Sequence, residues 1–189
     1  MKKETLHAAS RALIVAGMLL CVAPVSSQEP PKPGVYGDED RDWGVPPRSQ
    51  LRTVDYHAPT PLQIPGGKTV GTVELYQMLE KGPPPYAIDV LGGGVHRTIA
   101  GAFWLPGAGA GDMDQDEEKR FLKALASFAG GDKGRPMVFF CVDSQCWLSY
   151  NAALRAIAAG YTNIMWYRGG VAAWRQAGLL MVMSEPFGW

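Results

Sequence analysis

Phe140-Cys141-Val142-Asp143-Ser144-Gln145-Cys146-Trp147 sets a cysteine where an apolar run, Met137 to Phe140, meets a segment of helical character, Trp147 to Ile157. Apolar run, short loop and following segment read as strand, tight loop and helix. Free N–H groups at a helix start, together with the positive end of its dipole, favour a thiolate and can hold an oxyanion. The dipole alone contributes about 0.3–1 kcal/mol. Such surroundings bring a thiol from a pKa of about 8.5 toward the range where it attacks at neutral pH. Three readings of the pair stay open at this point: a chemically used Cys141, a purely structural Cys141–Cys146 bridge, or inert buried thiols.

On both sides of this stretch, helical and extended patterns alternate. Val73 to Glu80 reads as a short helix capped by Thr72, with Leu75, Met78 and Leu79 on its apolar side. Tyr86 to Leu91 reads as a strand ended by Gly92-Gly93-Gly94, and Phe103 to Leu105 as a strand stopped by Pro106. Asp116 to Phe128 has helical spacing at Phe121, Leu122, Leu125 and Phe128, with acidic residues at its start that suit the dipole. Pro136 to Phe140 is a buried strand, Trp147 to Ala159 a helix, Asn163 to Tyr167 a strand and Val171 to Gln176 a closing helix. Strands with so little polar alternation predict a mainly parallel sheet covered by helices on both faces, an α/β fold. Cys141 then lies at a strand's carboxyl end, the edge where such sheets bind ligands.

The chain has 189 residues, 47% hydrophobic and 19% charged, enough for one domain plus extensions. Its start, with Lys2, Lys3 and Arg11 ahead of the apolar Ala12 to Ala23, predicts a signal peptide over 1–27. The apolar stretch is shorter than the roughly 20 residues a span requires. Removing it takes away Lys2, Lys3, Arg11 and Glu4, so a chain of net charge 0 becomes one of about −2. That balance points to neither nucleic acid nor an anionic membrane surface as partner. The leader also carries off Cys21, leaving Cys141 and Cys146 as the cysteines of an exported protein, free to become oxidised. Residues 28–65, rich in Pro, Gly and charge, are expected to form an irregular arm partly packed on the domain, with Trp43 and Tyr56 to Pro61 as possible anchors. The domain is expected over 66–182, followed by a tail over 183–189.

Several segments resemble the rhodanese-like superfamily, whose active site is a six-residue loop that begins with a sulfur-carrying cysteine. Ala87-Ile88-Asp89-Val90 is similar to its early strand with an aspartate, although Leu91 stands where arginine is common. Ile99-Ala100-Gly101-Ala102-Phe103-Trp104-Leu105-Pro106 resembles its Ile-Pro-Gly-Ala segment. Gly160-Tyr161-Thr162-Asn163-Ile164, Gly169-Gly170-Val171-Ala172-Ala173-Trp174 and Ala177-Gly178-Leu179 resemble its C-terminal half. The resemblance covers about residues 69 to 180 and implies a three-layer fold. Cys146-Trp147 with Ser149 and Asn151-Ala152-Ala153 resembles an exported subfamily named for a two-cysteine-and-tryptophan motif and associated with pyrroloquinoline quinone-dependent alcohol catabolism. Four residues separate the cysteines here, a departure from the spacing in that name.

The resemblance implies that Cys141 accepts a sulfane sulfur as a persulfide, in a cradle formed by the amides of Val142, Asp143, Ser144, Gln145, Cys146 and Trp147. Cys146 would then act as resolving thiol. Asp143, an acid inside the loop, should repel a dianion, making thiosulfate a poor substrate unless the carboxylate turns to solvent. Asp89 and Arg168 are candidates for the mouth of the site, with a solvated strand end as the alternative for Arg168. The aromatics Trp147, Trp166, Tyr167 and Trp174 are expected to pack in the core. Phosphatase relatives use a longer loop ending in arginine, where this chain has Trp147. Two cysteines without a nearby histidine do not make a metal site, and His57 and His96 are expected in ordinary loop or surface roles. No cofactor is expected. The partners expected are a periplasmic quinoprotein dehydrogenase system or a thiol protein. A non-catalytic binding module with a structural bridge is the competing expectation.

Overall fold

The computed structural model describes residues 29–189; the leader expected over 1–27 lies outside the described residues. The elements run β1 (Lys68–Val70), α1 (Thr72–Glu80), β2 (Tyr86–Asp89), β3 (Arg97–Ile99), β4 (Phe103–Trp104), α2 (Gln115–Ala129), β5 (Met137–Phe140), α3 (Trp147–Ala158), β6 (Ile164–Tyr167), α4 (Gly170–Gln176) and β7 (Met181–Met183). Five strands form a parallel sheet in the order β1-β6-β5-β2-β4, and β3 pairs antiparallel with β7 beside it.

Side chains alternate across a strand, and here the alternation fills two separate apolar layers. Ile88, Met137, Phe139, Ile164 and Trp166 face Phe121 and Leu125 of α2 and Tyr150 and Ala153 of α3. Ala87, Val138, Phe140, Met165 and Tyr167 face Leu75 and Tyr76 of α1 and Ala173 and Trp174 of α4. Every residue of β5 and β6 is therefore buried, which explains their unbroken apolar sequences. The three-layer α/β architecture expected from the sequence is the one observed. Burying each such side chain contributes about 1.5–3 kcal/mol.

One local expectation changes. Thr72 is not the cap of α1 but its first residue, after Gly71. Its amide and hydroxyl both donate to the Glu39 carboxylate, at 2.8 and 2.6 Å, so an arm residue 33 positions upstream caps the helix. The last residues pack on the domain. Met183 completes β7, the Phe187 amide donates to the Trp104 carbonyl at 2.8 Å, and the Phe187 and Trp189 rings pack on Phe128 and Phe121. Helix α2 starts on a capping box, Asp114 with Glu117, and ends at Gly130 in the left-handed conformation.

Residues 29–65 hold no helix or strand, only a bridge residue at His57, and they lie along the domain. Among the described residues, no helix is long and apolar enough to cross a membrane.

Candidate functional site

Strand β5 delivers Cys141 to the carboxyl edge of the sheet, between β2, where Asp89 pairs with Phe140, and β6, where Tyr167 pairs with Phe140. The loop then closes on itself through a Cys141–Cys146 disulfide with the Cα atoms 6.1 Å apart. Both cysteines are buried, at 1% and 4% exposure. Gly169-Gly170 lets the start of α4 press against the loop. The Val171 amide donates to the Cys141 carbonyl at 3.0 Å and the Ala172 amide to that of Val142 at 2.9 Å. Gly170 has φ +60°, and a Cβ there would sit 2.5 Å from the Cys141 carbonyl oxygen, so this approach requires glycine.

The cradle is smaller than the sequence suggests. The Gln145 amide donates to the Asp143 carboxylate at 2.9 Å, the Cys146 amide to the Asp143 carbonyl at 3.1 Å, and the Trp147 amide to the Tyr56 carbonyl at 2.8 Å. The amides of Val142, Asp143 and Ser144 donate to none of these loop or arm acceptors. Asp143 is held and not free in solvent, because its second carboxylate oxygen meets His57 Nε2 at 3.1 Å. Ser144 is buried, and its carbonyl accepts from the Thr60 hydroxyl.

Trp147 is a core residue, 1% exposed, packed edge-on against Tyr150 with ring centres 5.0 Å apart. Its indole N–H donates to the Pro59 carbonyl, and the guanidinium groups of Arg48 and Arg52 lie over its ring at 5.7 and 5.2 Å. Trp166, Tyr167 and Trp174 are buried as well.

The two residues placed at the site mouth are not there. Asp89 is fully buried, and its carboxylate accepts from the Leu91 amide, the Thr98 hydroxyl and His96 Nε2 at 2.9, 2.5 and 2.8 Å. It ties down the chain that follows β2, since a buried carboxylate needs such partners. Arg168 is neither a site-mouth cation nor a solvated strand end. It is 1% exposed and donates to the carbonyls of Asp38, Glu39, Arg41 and Thr60 and to the Thr60 hydroxyl. Its guanidinium also stacks 4.6 Å from the Trp43 ring centre. Burial lowers its pKa, and Asp38, Asp40 and Asp42 oppose that shift.

The sequence did not reveal the contact between arm and loop. His57 and Cys146 form an antiparallel bridge in which the Ala58 amide donates to the Gln145 carbonyl at 2.9 Å. Nearby, Asn151 of α3 donates to the Arg52 carbonyl and accepts from its amide, and the Tyr150 hydroxyl accepts from the Arg48 amide and donates to its carbonyl. A signal was present, since polar Ser149, Tyr150 and Asn151 on a mostly apolar helix require buried partners. Among the described residues, no group of three or more His, Cys, Asp or Glu could hold a metal.

A family model for the rhodanese-like domain matches residues 72–177, more than half of the chain. The chain belongs to the rhodanese-like family. No curated protein matches it. The cysteine loop of this rhodanese-like domain lies inside the matched region, whereas the arm that covers it, through Thr60, lies ahead of the match.

Proposed function

We propose that this protein is an exported, periplasmic rhodanese-like thiol centre in which Cys141 takes up sulfur or enters a mixed disulfide and Cys146 resolves it. The observation that carries this reading is the pairing of the two cysteines across a six-residue loop at the carboxyl edge of a parallel sheet. In the reduced state the Cys141 thiolate attacks the outer sulfur of a persulfide donor, the donor's S–S bond breaks, and the donor leaves as a thiolate. The Cys146 thiolate then attacks the inner sulfur of the Cys141 persulfide, closing the disulfide and expelling hydrosulfide. Two equivalents of a reducing thiol restore the dithiol and leave as their own disulfide. The Val142, Asp143 and Ser144 amides are the donors that would face the anionic sulfur.

The two-cysteine-and-tryptophan character of the loop supports a place beside pyrroloquinoline quinone-dependent alcohol oxidation, with a quinoprotein dehydrogenase system or a thiol protein as partner. Intact mass after exposing reduced protein to polysulfide tests the chemistry. One added sulfur should accumulate in Cys146→Ser and be absent in Cys141→Ser. No Cys141-dependent sulfur in either background removes the proposal.

A second reading is favoured by the burial of both cysteines. In it the bridge is structural and the domain is a binding module. A reduction potential below about −300 mV, the range of resistant structural disulfides, would select it.

A further inference from the structure

The chain between Arg52 and Thr60 is held at both ends. Arg52 is fixed by the Asn151 side chain, at 2.9 and 2.7 Å. Thr60 is fixed by Arg168, which donates to its hydroxyl at 3.0 Å and its carbonyl at 3.2 Å. Between these points the chain crosses the cysteine loop. Its central contacts are the Trp147 and Ala58 amide bonds, the indole of Trp147 on the Pro59 carbonyl, and the His57–Asp143 pair. The Tyr56 hydroxyl holds the near side, donating to Asp112 at 3.1 Å and accepting from the Gly111 amide at 2.9 Å.

The ends and the middle differ in kind. Both anchors are buried residues or lie on buried partners, Thr60 at 1% and Asn151 at 0% exposure. The middle is on the surface. His57 and Asp143 are 62% and 32% exposed at the side chain, Val54 is 65% exposed, and Asp55 sits at φ +50°, a left-handed conformation uncommon for a residue with a side chain. A segment whose anchors are buried, whose middle is partly solvated and which carries one strained residue opens there before the domain unfolds. Against it lies Cys146, bridged to His57 and 4% exposed, whose disulfide partner Cys141 is 1% exposed.

We infer that residues Tyr56–Pro59 are a strap that gates the Cys141–Cys146 pair, with Thr60–Arg168 and Arg52–Asn151 as fixed anchors and the His57–Asp143 pair as the latch. An in-line thiol or sulfane donor needs a clear approach to a sulfur, and the strap's main chain is bonded directly across the residues on either side of Cys146. His57 and Asp143 are here positioning residues, acting on the cysteines through the strap. Asp143 is the charged group facing His57 from the loop, and Asp55 is its charged neighbour along the strap. This inference deepens the proposed thiol chemistry and rests on it only for its biological use. The gating itself is a property of the disulfide protein.

The test compares the full chain with Tyr56→Phe/His57→Ala, which removes the latch and the hydroxyl contacts while keeping both anchors. Two quantities are read: hydrogen exchange of the Trp147 amide, and the rate at which dithiothreitol reduces the disulfide. Losing three partly exposed side-chain hydrogen bonds, one from His57 and two at the Tyr56 hydroxyl, predicts about a tenfold rise in both. Equal factors in the two readouts support the strap. Faster Trp147 exchange with an unchanged reduction rate overturns it, as does an unchanged rate of both. His57→Gln alone gives the same comparison, with about a threefold effect, where the double variant melts too low for assay. Sulfur uptake by pre-reduced protein is scored separately. Its absence alongside accelerated reduction overturns the sulfur-transfer function and leaves the strap. Normal uptake with unaccelerated reduction overturns the strap alone.

Discussion

Replacing Arg168 by methionine tests how the arm is held. The arginine makes five hydrogen bonds, at 2.8 to 3.2 Å, and stacks on Trp43 while 1% exposed. Counting each charged hydrogen bond at about 1.5–3 kcal/mol would exceed half the stability of an ordinary domain, so the sum cannot be the answer. The charge also costs desolvation that methionine does not, and the carbonyls of Asp38 and Arg41 regain water when the arm loosens. Leaving the buried Glu39 and Thr60 carbonyls without their donor costs about 1–3 kcal/mol each, so a loss of about 4 kcal/mol is expected. Arg168→Lys keeps the charge but not the planar fork that reaches four carbonyls, and should lose about 2 kcal/mol. Urea unfolding followed by circular dichroism reads both. With a slope of about 2 kcal/mol per molar, the methionine variant should shift the midpoint down by about 2 M. A shift under about 0.5 M, with sulfur uptake nonetheless lost, would refute the clasp and return Arg168 to the site mouth.

Other outcomes follow from single contacts. Gly170→Ala should lose about 2 kcal/mol or more in thermal unfolding, since its Cβ meets the Cys141 carbonyl at 2.5 Å and its φ is +60°, whereas Gly178→Ala, at φ +71° with open space around the added Cβ, should lose about 1 kcal/mol. Asp89→Asn keeps the shape but weakens the bonds to Leu91, His96 and Thr98, and a loss of about 1–3 kcal/mol in urea midpoints is expected, with sulfur uptake per folded molecule unchanged. Reducing the disulfide should cost at most about 2 kcal/mol, because it closes a very short loop, and a larger drop in the urea midpoint on adding dithiothreitol would mark it as a structural staple. Burial pushes the Tyr167 phenol far above the usual tyrosine value and raises Tyr150 as well. A raised folded pKa means the unfolded chain releases its proton first. Stability from these two is therefore intact below about pH 10 and falls as pH climbs through their folded values. Unfolding measured from pH 9 to pH 11 should show a shallower alkaline loss in Tyr167→Phe.

Much of the architecture could be read from residue order alone. Met137 to Phe140 and Ile164 to Tyr167 are apolar without alternation because both sheet faces are covered, and the helix spacing of Phe121, Leu125 and Phe128 marks the face that covers one of them. Strands β1, β3 and β7 escaped because three residues are too few to display a period. Asp89 and Arg168 were misplaced for a common reason. Position along a strand gives the sheet edge correctly, but the direction of a long or charged side chain is decided by partners distant in sequence. For Arg168 those partners are carbonyls about 130 positions upstream, and for Asp89 the nearby His96 and Thr98.

The arm shows why the cysteine loop cannot be understood from its own eight residues. A helix start offers unpaired amides, and the sequence alone assigns all of them to a bound sulfur. In the folded chain, Asp143 turns back on the Gln145 and Cys146 amides, and Tyr56 takes that of Trp147. What remains without a protein acceptor is the amides of Val142, Asp143 and Ser144, the first two nearer to Cys141 along the chain and the third nearer to Cys146. The division of amides is therefore unequal between the two sulfurs. An anionic sulfur on Cys141 would keep the Val142 and Asp143 donors beside it, while the Gln145, Cys146 and Trp147 amides around Cys146 are spent on the arm and on the loop itself. That asymmetry suits Cys141 to carry the charged adduct and Cys146 to displace it, the order of events proposed for the pair.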